Sequence, residues 1–116
     1  MELRRLETAE GRVVAARVEV AGSVWRRFVG LMFRSELPPG SGLALTPCNS
    51  IHMFFMRIPL DVVFLDREGR VLRLYHGLRP WRVSRIVRGA HTAVELPAGT
   101  LRDAGVETGA VLTLTA

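Results

Sequence analysis

Reactive side chains crowd one stretch of the chain, residues 47–61, PCNSIHMFFMRIPLD. Within it Cys48, His52 and Met56 recur every four residues, a spacing that shares one face of a strand and nearly one face of a helix. Thiol, imidazole and thioether together invite a copper or zinc reading. Distance argues against it. Four extended residues span about 13 Å, whereas metal bonds to Cys or His are only about 2.0–2.3 Å long. A helix would separate them by a rise of about 6 Å and let them converge. Pro47, Pro59 and the aromatic content between them favour the extended form. The expectation is therefore no metal and no cofactor, with Cys48, His52 and Met56 as the ligand candidates if that expectation fails.

The same stretch offers an acid–base pair in His52 and Asp61, with Cys48 as a nucleophile. A plainer reading competes at each position. Cys48 lacks a nucleophile signature and behaves equally well as a small buried hydrophobe. His52, amid apolar neighbours, needs a polar partner whether or not it acts on a substrate. Asp61 enters an apolar run, so it is either a turn or cap acceptor or the partner of a cation such as Arg57.

A second pattern is Arg79, Arg82, Arg85 and Arg88, spaced by three, with Trp81 between the first two. Threefold spacing lines one edge of a polyproline-type stretch but alternates faces in a strand. Arginine beside an aromatic suits stacking and anion contact. The alternative is a solvated edge whose charges discourage aggregation. Gly40-Ser41-Gly42 is not a phosphate loop, because the lysine and the following helix are missing.

The elements that must hold these residues are mostly strands. Residues 12–20, RVVAARVEV, are rich in valine. After Ala21-Gly22, the segment 23–33 carries Trp25, Phe28, Val29 and Met32 at helical spacing behind Ser23 as N-cap. The prolines and glycines of 37–42 make a loop, and Leu43 to Leu45 a short strand. Residues 50–56 are a further strand candidate. Apolar runs on both sides of Asp66-Arg67-Glu68-Gly69 predict a hairpin. Strands over 81–87 and 111–114 and a helical turn over 100–104 complete the pattern. Seven or eight short strands with one amphipathic helix predict a mainly β fold, a sandwich or partly closed barrel, over residues 1–116 as a single domain.

Composition narrows the classes. The chain has 116 residues, 48% of them hydrophobic, so it can bury a core unaided. No apolar run reaches the length of a membrane span. The charged start, MELRRLETAEGR, has no secretory h-region, which predicts a cytoplasmic protein. Cys48 stands alone, so no internal disulfide forms. All sixteen basic residues are arginine and the net charge is +5. That charge makes nucleic acid or an anionic surface a possible partner, although eleven acids are mixed in and no nucleic-acid module signature is present.

Taken in order, Gly30-Leu31-Met32-Phe33-Arg34, Leu37, Gly42-Leu43, IHMFFMRIPLDVVFLD, Leu78-Arg79-Pro80-Trp81-Arg82 and Val94-Glu95-Leu96-Pro97-Ala98-Gly99 resemble the domain-of-unknown-function family one hundred and ninety-two. The resemblance runs from about residue 23 to the C-terminus. It implies a compact β domain and supplies no function. It adds Arg34, Met56, Arg82 and Glu95 to His52 and Asp61 as candidate site residues. Met53 departs from the pattern, where a small polar residue is expected, and so does Ala110, where an Asp is usual. The expected function is a non-catalytic binding or accessory domain holding a polar or anionic ligand, small molecule or protein. Its site would comprise Arg34, His52, Met56, Arg57, Asp61, Trp81, Arg82 and Glu95. The alternatives are a small hydrolase with His52 and Asp61 as acid and base, and arginine-mediated nucleic-acid binding. A monomer or weak dimer is expected.

Overall fold

The structure is a computed structural model that describes residues 2–21, 37–51, 53 and 57–115. It holds seven strands: β1 (Glu2–Thr8), β2 (Val13–Ala21), β3 (Ser41–Leu45), β4 (Leu60–Leu65), β5 (Val71–Leu78), β6 (Thr92–Pro97) and β7 (Leu112–Thr115). One helical turn, α1 (Thr100–Asp103), follows β6. The expected helix over 23–33 lies outside the described residues, as does most of the strand candidate over 50–56.

All seven strands join one sheet in the order β5-β4-β6-β3-β2-β1-β7. Only β2 and β3 run parallel; the other pairs are antiparallel. The sheet curls until its two edges meet, and an isolated bridge joins Arg70, just before β5, to Val111, just before β7. Of the two expected architectures, the partly closed barrel is the one formed. Closure is tight at Gly69, whose φ is +86° and where any Cβ would collide with the Leu112 carbonyl. Only glycine fits that corner. Asp66 sets the hairpin beside it, its Oδ1 accepting from the N–H of Glu68 at 2.9 Å and of Arg70 at 2.8 Å.

Position in the sheet explains the composition of each strand. The central strands β4 (LDVVFL) and β6 (TAVELP) are buried on both faces, so they read as near-continuous apolar runs. The strand β1 (ELRRLET) lies one place from the edge, with Leu6 fully buried and its other residues exposed or half-buried. Its charged sequence carries too little apolar alternation to announce a strand. One face of the sheet closes on an inner cluster that includes Leu6, Val18, Val63, Leu65, Val94, Leu96, Leu101 and Leu112. The other face carries a second cluster with Leu43, Leu60, Val62, Phe64, Ala93, Ile51, Met53 and Val87.

Ile51, Met53 and Val87 come from outside the sheet. Residues 48–51 and Met53 run beside 81–91 over this second face. Met53 donates its N–H to the Arg82 carbonyl and accepts from Trp81, both at 2.7 Å. Ser84 donates to Ile51 and Val87 to Asn49, both at 2.8 Å. The sequence predicted a strand over 81–87; instead this stretch lies outside the seven strands, and Trp81 takes a positive φ of 68°. Its burial follows a period of three, with Ser84 and Val87 inward and Arg82, Val83, Arg85, Ile86 and Arg88 exposed. A strand would alternate with a period of two.

Candidate functional site

Two carboxyl groups lie in the centre of the sheet, on neighbouring strands. In β4, Asp61 is fully buried. It pairs across to Leu96, which belongs to the inner cluster, so its side chain shares that face. Its Oδ1 accepts from the Gly77 N–H at 2.8 Å, and its Oδ2 from Gly99 at 3.1 Å and Leu101 at 3.0 Å. Those donors belong to the end of β5 and to the start of α1. The carboxylate therefore ties three elements together and satisfies two donors at the opening of the helical turn. Of the roles read from the sequence, Asp61 takes that of cap acceptor.

In β6, Glu95 is 5% exposed. Its neighbours across the ladder are Leu43 on β3 and Val62 on β4, both of the second cluster. Among the described residues no donor lies within hydrogen-bonding distance of its carboxyl. Burial alone pushes this carboxyl up to about 7 from the usual carboxylate range. Near neutral pH it exists both as a neutral acid, which can donate and accept, and as a carboxylate. A buried polar group in this state calls for a partner.

The row that contains Glu95 continues to Tyr75 on β5, opposite Val62. The Tyr75 hydroxyl accepts from the Arg85 N–H at 2.9 Å, which fastens the 81–91 segment to the edge of this face. Its ring meets Phe64 edge-on at 6.2 Å and lies under the Arg73 guanidinium at 5.3 Å. A second anchor is Ser84, whose hydroxyl accepts from the Ile51 N–H at 2.9 Å and donates to the Arg85 carbonyl at 3.0 Å. Neither Tyr75 nor Ser84 stands out in the sequence; their roles follow from sheet register and from the pairing of two distant loops.

The remaining candidates fall as follows. Arg34, His52 and Met56 lie outside the described residues. Arg57 is exposed just ahead of β4. Trp81 is 58% exposed, and Arg82 is exposed beside it, both next to Met53. Cys48 is half-buried at the rim of the second cluster, with its thiol donating to the Ser50 carbonyl at 3.1 Å. The structure thus gathers Glu95, Met53, Trp81 and Arg82 around the second face and sends Asp61 to the opposite one. No group of three or more His, Cys, Asp or Glu residues suited to a metal ion occurs among the described residues.

Comparison with known proteins agrees with this architecture. The family model DUF192, described as an uncharacterized conserved family, matches residues 5–114. A UPF0127 protein of Thermococcus sibiricus is 37% identical over 112 residues, spanning 90% of this chain and 70% of the relative. Another, from Pyrococcus furiosus, is 34% identical over 109 residues, covering 90% and 91% of the two chains. A crystal structure from Novosphingobium aromaticivorans, of a protein of unknown function, superposes with a TM-score of 0.82 at 24% identity, covering 96% and 83%. One from Sinorhizobium meliloti, described as a candidate transcription regulator, gives 0.80 at 30% identity, covering 97% and 92%.

Proposed function

The chain belongs to the DUF192 family, and from that premise we propose that it is a non-catalytic binding domain whose site is built on the Glu95 face of the sheet. The observation that carries this reading is the Glu95 carboxyl, buried in the second cluster with no donor among the described residues. An unsatisfied buried carboxyl costs stability of the order of 1–3 kcal/mol. Such a group persists where something other than stability is served. The ligand is polar and brings its own hydrogen-bonding group to Glu95, an amide or hydroxyl below about pH 7 and an amine above it. Trp81 and Arg82 stand at the rim, and Arg34, His52, Met56 and Arg57 keep their place as candidate contacts. Asp61 is not part of this site, since both its oxygens already hold backbone donors on the other face.

A thermal-shift screen of the wild-type chain and Glu95→Ala tests the proposal, using neutral sugars, amides, amines and nucleotides. A ligand at about 100 times its dissociation constant adds about 2.7 kcal/mol, a rise of roughly 10 °C in a domain of this size. The expected result is a compound class that raises the wild-type melting temperature and leaves Glu95→Ala unmoved. A ligand that stabilises both proteins equally places the site elsewhere.

A further inference from the structure

We propose that the 79–88 segment is a docking surface for an anionic phospholipid bilayer. Between Glu68 and Glu95 the chain carries six arginines and no acidic residue, more positive charge than the whole chain's net +5. Four of these, Arg79, Arg82, Arg85 and Arg88, are exposed, and none forms an ion pair among the described residues. The period of three sorts this segment into columns. Ser84 and Val87 point inward and fix the segment to residues 49–51. Arg82, Arg85 and Arg88 form a second column, and Val83 and Ile86 a third, 60% and 73% exposed. Trp81, 58% exposed, heads the strip.

Charge complementarity sets the sign of the partner, and the aliphatic column sets its kind. Guanidinium groups hold phosphate, and tryptophan favours the headgroup level of a bilayer. Exposed valine and isoleucine beside the arginines gain by leaving water for acyl chains. A nucleic acid would use the arginines and Trp81 but would offer Val83 and Ile86 little. Trp81 and Arg82 also stand at the rim of the Glu95 face, so Val83, Arg85, Ile86 and Arg88 carry the test, and Glu95→Ala should bind vesicles as the wild-type chain does.

The test is co-sedimentation of the full chain with vesicles of phosphatidylcholine and phosphatidylglycerol at 7:3, against phosphatidylcholine alone. The expected result is salt-sensitive binding to the anionic vesicles only. Arg85→Ala with Arg88→Ala should weaken it roughly thirtyfold, about fivefold for each arginine. Ile86→Ser should weaken it about tenfold. These side chains are exposed, so unchanged melting temperatures will show that both variants fold. Two results would overturn the proposal: no binding to anionic vesicles at low salt, or full binding by Ile86→Ser. Binding to a single-stranded oligonucleotide that competes the protein off the vesicles and ignores Ile86→Ser would assign the strip to nucleic acid instead.

Discussion

Asp61 and Glu95 sit on adjacent strands at the middle of the same sheet, both almost completely removed from water. One faces the inner cluster and accepts three backbone N–H groups; the other faces the second cluster and accepts none among the described residues. The difference shows that burial by itself says little about what a carboxyl group does. At Asp61 the protein supplies the solvation that water would have given, and the charge becomes a fastening between β4, the end of β5 and α1. At Glu95 nothing described replaces the water, so the group is held at a cost to stability. The first is architecture, and the second is a buried polar group whose hydrogen-bonding capacity no described residue meets, in a face that two loops cover.

The largest expected effect breaks the first half of this contrast. Asp61→Ala leaves three backbone donors without an acceptor, two of them at the start of α1, and should cost about 3–5 kcal/mol in urea unfolding. A loss below about 1 kcal/mol would mean that those donors find other partners. The next effect runs in the opposite direction. A carboxyl whose folded-state value is raised favours folding while protonated. Its contribution is full below about pH 4.5 and falls as pH rises to about 7. Above that the folded protein carries a buried charge. Glu95→Gln should therefore be more stable than wild type at pH 8, by up to about 3 kcal/mol, and nearly equal to it at pH 4. Melting curves across that range would read the difference directly; parallel curves would show that Glu95 has an ionic partner. The smallest effect sharpens the picture of the covering loops. Tyr75→Phe removes the acceptor for the Arg85 N–H and should cost about 1 kcal/mol. Hydrogen exchange at Arg85 should rise, while exchange in β4 and β6 stays slow.

Much of the fold could be read in advance, and the reasons are local. The β4–β5 hairpin has apolar runs on both sides of a polar Asp–Gly turn, and the helical turn after Pro97 sits where it was expected. The first strand could not be read, because ELRRLET owes its place to pairing with β2 and β7 and not to its own pattern. The period of three in the 79–88 segment was visible as arginine spacing, yet its meaning waited on Ser84 and Val87 turning inward. Glu95 was legible only through the family resemblance. Nothing in VELPAG says that the glutamate faces Leu43 and Val62 on a covered surface; that follows from tertiary register. For Asp61 the sequence left two roles open, and the donors that decide between them lie 16 to 40 residues further along the chain.

The pairing of β1 with β7 brings Arg5 against Thr115, residues 110 apart in the chain. In synthesis on the ribosome this makes completion of the sheet a late event. Until β7 emerges, β1 presents an open row of backbone donors and acceptors, and the corner around Gly69 lacks the strand that seals it. The nascent chain is then most exposed to pairing with a neighbour, and charged side chains along ELRRLET stand where such pairing would begin. The same arginines and glutamates that hid the strand from a reading of the sequence thus guard its edge while the protein is being made.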